Sequence, residues 1–237
     1  MGFFFAKGAA TTTYDAAVLA DSPVGYWRLG ESSGTTAADS SGNGRDGVYV
    51  NSPTLGETGA VSGGNTAALF ARASSESVNL GNPSAFNFTG QVTMECWYKP
   101  TSFPSGGQEH TLVAHGFDSG NHGYCLRLSG TSGIVEAFSF DGALYRTTWT
   151  ISGWSTGQWR HIVGGYDGAN WKLFIDGTEV ASTAAAEGAQ TSTVTTNIGA
   201  ISNNGSIQDF ANGTIDEVAI YNTWIGGTRI AAHFAAA

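Results

Sequence analysis

Aspartate–glycine pairs set between short runs of alternating apolar and polar residues constrain this chain more than any other feature. Asp141-Gly142 separates IVEAFSF from ALYRTTWTI, Asp167-Gly168 separates RHIVGGY from NWKLFI, and Asp176-Gly177 separates NWKLFI from TEVAST. Such pairs accept the positive φ angles that match strand twist, so these segments predict antiparallel hairpins. In WKLFI, Trp171, Leu173 and Ile175 fall on one face, with Lys172 and Phe174 on the other. In VTMECWYKP, Val92, Met94, Cys96 and Tyr98 oppose Thr93, Glu95 and Trp97, and Pro100 ends the strand. In NGTIDEVAIY, Ile215, Glu217, Ala219 and Tyr221 oppose Asp216, Val218 and Ile220. YDAAVLADSP predicts one or two helical turns with Ala17, Leu19 and Ala20 on one side, stopped by Pro23, and GGTRIAAHF predicts a short closing helix. Strands at roughly ten-residue spacing with glycine-rich turns are the pattern of an all-β, two-sheet antiparallel jelly-roll sandwich. A chain of 237 residues suffices for one such unit.

Composition removes other classes. Charged residues make up 12%, too few for a helical bundle or coiled coil, and the same share of aromatics is too high for a disordered chain. Ten Lys+Arg against nineteen Asp+Glu, a net charge of −9, leave no basic patch for a nucleic acid. No segment is apolar for the length of a membrane span. The start, MGFFFAKGAATTT, places its cation after a short aromatic run, so no cleaved leader is expected. Cys96 and Cys125 lie in apolar strand contexts without a C-x-x-C motif. Two buried thiols are expected, with a disulfide between neighbouring strands as the alternative.

Four segments together resemble the laminin-G-like branch of the concanavalin A-like lectin/glucanase superfamily. They are VGYWRLGE with DSSGNGRDG, then FTGQVTMECWYKPT, then GQWRHIVGGYDGANWKLFIDGTEVAS, and finally NIGAISNN with FANGTIDEVAIYN. The resemblance covers residues 14–237 and implies the same two-sheet jelly roll. Trp27, Trp97 and Trp159 are expected as framework aromatics of the core, and His161 as a structural strand histidine.

Calcium is the sharpest chemical expectation. The loop DSSGNGRDG gathers oxygen donors between glycines, as hard cations require. The resemblance implies a structural calcium near the final strand, on an acid that resembles Asp216. One Ca²⁺ shared by Asp39, the carbonyl of Asn43 and Asp216 is therefore expected; the alternative is that Asp39 and Asn43 cap turns. Glycoside hydrolysis needs two acids flanking one bond, whereas Glu95 and Glu136 stand alone in their strands, so no enzyme is expected. Sugar sites need an aromatic platform and hydrogen-bonding side chains. Tyr145, Trp149, Trp154 and Trp171, with Asp118, Asn121 and His122 from the loop HGFDSGNHGY, are the candidate glycan cleft. The alternative places these aromatics inside the sandwich.

The remaining feature is the arm at residues 1–13, where Phe3, Phe4 and Phe5 would be a liability unless buried against a partner. A tag-like remnant is the alternative. Glycine-rich, lysine-poor domains of this kind resemble phage virion proteins. The expected function is a non-enzymatic structural or adhesion module of a virion, a tail component or capsid decoration, displayed at the virion surface or otherwise outside the cell. The arm would contact other assembly proteins, the loops cell-surface glycans, and the chain is expected to form a homo-oligomer. A secreted carbohydrate-binding module is the alternative.

Overall fold

The computed structural model describes residues 12–120, 122–131 and 133–237. In chain order its elements are α1 (Tyr14–Ala20), β1 (Gly25–Trp27), β2 (Thr36–Ala37), β3 (Gly47–Val50), β4 (Thr54–Thr58), β5 (Thr66–Phe70), β6 (Ser77–Asn79), β7 (Val92–Pro100), β8 (Glu109–His115) and β9 (Gly123–Ser129). There follow β10 (Ile134–Phe140), β11 (Leu144–Thr150), β12 (Arg160–Tyr166), β13 (Asn170–Ile175), β14 (Thr178–Ala184), β15 (Thr196–Ile198), β16 (Ile201–Asn203), β17 (Ser206–Gln208), β18 (Gly213–Tyr221) and α2 (Gly227–Ala235). The first sheet runs β14-β13-β12-β7-β18-β5-β4, with β1 also on β18; the second runs β11-β10-β9-β8-β15-β6-β3-β2. Hairpin β16–β17 stands apart. The strand pairs of both sheets are antiparallel, and the two sheets form the expected sandwich.

The alternation of β7 and β13 holds. Val92, Met94, Cys96, Tyr98, Trp171, Leu173 and Ile175 all enter the core between the sheets. The sheets approach closely at Gly164, where a Cβ would lie 2.5 Å from that of Ala137. Of the three Asp-Gly turns, only Asp176-Gly177 has both residues at positive φ, 50° and 72°, as a two-residue hairpin needs. At Asp141-Gly142 the loop is one residue longer and glycine alone takes positive φ.

Two expectations need correction. In β18 the ladder slips between Asp216 and Ala219, and Glu217 has φ 52°. This bulge shifts the phase, so Ile215, Val218 and Ile220 share the core while Ala219 and Tyr221 face outward. In α1 the buried residues are Tyr14, Ala17 and Val18, the i, i+3, i+4 stripe of one helix face, and Leu19 is exposed.

Cys96 and Cys125 are free and buried. Cys96 faces the core from the first sheet, whereas Cys125 lies in a separate cluster on the second, so no disulfide joins them. Among the described residues no helix is long and apolar enough to cross a membrane. Phe3, Phe4 and Phe5 lie outside the described residues, as does Asn121.

Candidate functional site

The outer faces of the two sheets differ. The first is closed by α1 and α2, which lay Tyr14, Val18 and Phe234 over Trp97, Ala219 and Tyr221. Beneath them sits Glu95, fully buried. It accepts hydrogen bonds from Tyr14 Oη (2.9 Å), His161 Nε2 (2.7 Å), His233 Nδ1 (3.0 Å) and Tyr221 Oη (3.2 Å). His233 Nε2 donates to Asp21 at 2.8 Å. With a carboxylate on each ring nitrogen, His233 is an imidazolium, its pKa raised by Glu95 and Asp21 against the cost of burial. Between the helices lies a hollow of about 500 Å³, lined by alanines, by Thr12 and by Arg229, which is already paired with Asp21. It presents few groups with which to recognise a polar ligand.

The second sheet is partly open. Its outer face carries Ala114, Cys125 and Phe138, covered by Ile201 of the β16–β17 hairpin and by Phe117. The hairpin divides this face. On one side is a charged group: both Glu136 oxygens accept from guanidinium groups, Arg127 at 2.8 Å and Arg146 at 2.9 Å. Arg127 lies over the Phe138 ring, 4.7 Å from its centroid, and 3.8 Å from Asp209. Burial pushes the pKa values of Glu109 and Asp209 up. His122 stands at the rim, 3.3 Å from Asp118 and 3.2 Å from Asp141.

On the other side is a cavity of about 280 Å³ bordered by β3, β6 and β15, with Phe210 and Ile207 as walls. Its floor is Ser77, Asn79 and Asn197.

The predicted glycan residues divide accordingly. Asp118 and His122 belong to the rim of the outer face. Trp171 is wholly buried in the core, its indole N–H on Glu187 O at 2.9 Å, and Trp154 is buried with its N–H on Gln158 O at 3.0 Å. Tyr145 and Trp149 are half-buried against the same core on the inner side of β11. These four aromatics therefore fill the sandwich and do not join Asp118 and His122 in one cleft. Trp27 is a core residue as expected. Trp97 is buried under α2 instead, and Trp159 is half-buried beside Lys99, whose ammonium is 4.9 Å from its centroid. Asn79, Asn197 and Phe210 were invisible to sequence reasoning. An amide within VNL or TNI has no motif, and the strand pairing that places the two side by side joins distant segments.

The predicted calcium ligands also divide. Asp39 accepts backbone N–H bonds from Tyr26 (3.1 Å), Ser41 (2.9 Å) and Arg45 (2.9 Å), which hold its pKa down. Asn43 donates through Nδ2 to Pro23 O at 3.1 Å. Both act as turn caps, and N–H donors aimed at Asp39 do not suit a cation there. Asp216 is elsewhere, accepting from Ala60 N (2.7 Å) and Asn65 Nδ2 (3.1 Å), the latter also donating to Glu217 at 2.9 Å. Glu217 is further held by Arg28 and by the Tyr26 hydroxyl. Burial and the neighbouring Glu217 charge push Asp216 up to about 8. Among the described residues no group of three or more His, Cys, Asp or Glu is gathered around a possible metal position.

The Laminin_G_3 family model, described as the concanavalin A-like lectin/glucanases superfamily, matches residues 72–231. No curated protein matches the chain in sequence. Three solved structures are similar in fold. Domain 4 of the extracellular arabinanase AbnA from Geobacillus stearothermophilus, in complex with arabinotriose, is 21% identical with a TM-score of 0.65, over 89% of this chain and 97% of that one. The ligand-binding domain of botulinum neurotoxin serotype D, in complex with N-acetylneuraminic acid, is 12% identical with a TM-score of 0.65, over 94% of this chain and 52% of that one. Trypanosoma rangeli sialidase, in complex with a difluoro-KDN ligand, is 14% identical with a TM-score of 0.60, over 90% of this chain and 32% of that one.

Proposed function

The chain belongs to the concanavalin A-like lectin/glucanases superfamily, and on that premise we propose that it is a non-enzymatic carbohydrate-binding module whose ligand face is the outer side of the second sheet. The observation that carries this reading is the asymmetry of the sandwich. Helices close one outer face, while the other leaves polar side chains and a cavity open on either side of the β16–β17 hairpin. Similar folds with arabinotriose or N-acetylneuraminic acid bound support the ligand class. Both Glu136 oxygens are clamped by guanidinium groups, which suits positioning better than acid–base work.

The proposed setting remains a virion or cell-surface assembly of several copies, with Phe3–Phe5 as contacts to partner proteins. Its support is the glycine-rich, lysine-poor composition. The structural calcium, in this reading, falls to Asp216 and Glu217, where it would have to displace the Asn65 amide and the Arg28 guanidinium that now hold the two carboxylates. Asp39 is left to its turn. Calcium should then raise the melting temperature of the metal-free chain, and Asp216→Asn should remove the rise.

A glycan panel probed with the full chain at millimolar sugar tests the main reading. Binding to at least one glycan is expected, and binding to none would overturn it. Deleting residues 1–13 should abolish incorporation into particles while leaving glycan binding intact. Retained incorporation would remove the arm's proposed role.

A further inference from the structure

The cavity beside β16–β17 has a donor and an acceptor fixed in orientation. Asn197 is 1% exposed, on β15, and its Nδ2 donates to the backbone carbonyl of Thr195 at 3.0 Å. A carbonyl only accepts, so the amide orientation is set, and Oδ1 is left without a partner among the described residues. Asn79 is its cross-strand neighbour on β6. Its Oδ1 accepts from Gly81 N at 2.7 Å, which leaves its Nδ2 as the free donor. Ser77, 1% exposed, adds a hydroxyl to the floor. Phe210 and Ile207 form an apolar wall. The rim is held in an uncommon backbone state: Asn51 and Ser75 have φ of 61° and 56° and are joined by Asn51 Nδ2 to Ser75 O at 2.9 Å. Non-glycine residues in this region often cluster at ligand sites.

We propose that this cavity binds one uncharged sugar ring, with neighbouring hydroxyls on Asn79 Nδ2 and Asn197 Oδ1 and a C–H face against Phe210. Each sugar hydroxyl both donates and accepts, so a fixed donor beside a fixed acceptor suits a vicinal pair. Cross-strand side chains stand about 5 Å apart, a distance such a pair can bridge. A volume of about 280 Å³ is small for a ligand site and suits a single ring. No charged side chain lines the cavity among the described residues, so nothing there would pair with a sugar carboxylate, and the net charge of −9 disfavours an anion further. The inference rests on the reading of the chain as a glycan binder and narrows it to neutral sugars at one place.

Titration calorimetry of the full chain provides the test, with arabinotriose and galactose as neutral probes and N-acetylneuraminic acid as the anionic one. A neutral probe should bind, and Asn197→Ala should weaken it roughly tenfold or more. Arg146→Ala, on the other side of the hairpin, should leave it unchanged. If Asn197→Ala does not fold, Phe210→Ala at the half-exposed wall carries the same expectation. Sugar binding that survives these cavity variants, falls with Arg146→Ala or prefers N-acetylneuraminic acid would overturn the cavity assignment and leave the wider reading standing. No binding of any glycan, on the panel or here, would remove both.

Discussion

Glu95 shows how a single buried charge organises the closed side of the molecule. Its carboxylate takes hydrogen bonds from two histidines and two tyrosines, and against the cost of burial the two histidines hold its pKa well below the usual carboxylate range. Glu95→Gln keeps the shape but leaves the His233 imidazolium facing an amide. It should cost about 3–5 kcal/mol in urea unfolding, the range for breaking a buried pair, and a loss below about 1 kcal/mol would sink this account. Five shifted groups bear on the pH dependence. Glu95, lowered, contributes fully above its unfolded value of 4.5, and that contribution is lost as pH falls through its folded value. His233, raised, contributes fully below 6.5, and its contribution is lost as pH rises through its folded value. Burial lowers His110 and His115 from 6.5 to about 4, so their contribution is present above 6.5 and lost as pH falls toward 4. Asn87 Oδ1 lies 3.0 Å from His115 Nε2 and Thr196 Oγ1 2.8 Å from its Nδ1. Asp216, raised to about 8, opposes His110 and His115, its contribution being present below 3.8 and lost as pH rises toward 8, so melting temperature should fall between pH 6.5 and 4 more steeply in Asp216→Asn than in the unaltered chain. His115→Asn should flatten that slope by up to about 3 kcal/mol, and an unchanged slope would reassign it.

At the scale of elements, the strands were legible because alternation and turn chemistry are local. The Asp176-Gly177 hairpin and the two faces of β7 and β13 can be read directly from residues a few positions apart. Features that depend on the partner strand were not legible. The β18 bulge is invisible in NGTIDEVAIY, because it exists only against β7, and it reverses the face on which Ile215 lies. Aromatic richness could not tell a platform from a core, so Trp154 and Trp171 looked like sugar-stacking candidates. Their side is set by which face of their own segment meets the opposite sheet. The Asn79–Asn197 pair was hidden for the same reason, since register alone brings β6 beside β15. The fit between sheets gives its own prediction at Gly164. A Cβ there meets Ala137 Cβ at 2.5 Å and Leu126 Cδ1 at 2.9 Å, so Gly164→Ala should cost about 1–3 kcal/mol by overpacking. Gly205, in the β16–β17 turn, has φ 86° and open space around its Cβ position. Gly205→Ala should cost only the backbone strain, about 1–2 kcal/mol, and leave sheet packing alone. Near-UV circular dichroism separates the two: the core aromatic signal should change for Gly164→Ala and not for Gly205→Ala. The reverse pattern would mean that the sheets tolerate a wider gap.

For the whole molecule, the two outer faces define opposite directions. Residues 12 and 13 lead into α1, which packs with α2 on the first sheet, while the amide cavity and the charged group lie on the outside of the second. The core between the sheets, dense with Trp27, Tyr98, Leu126 and Trp171, separates them. An attachment at residue 12 would therefore lie on the helical face, opposite the proposed sugar face. On this geometry the proposed anchor and the proposed ligand face are independent. A bulky folded domain fused ahead of residue 1 should leave neutral-sugar affinity within about twofold of the unfused chain. A comparable bulk attached in the β16–β17 turn, by a cysteine introduced at Asn204 and modified with a large polymer, should abolish it. The native thiols offer no competing target, because burial pushes both Cys96 and Cys125 up and away from reactive thiolate. Loss of binding from the fusion, or indifference to the polymer at Asn204, would place the ligand on the helical side and overturn the assignment of faces.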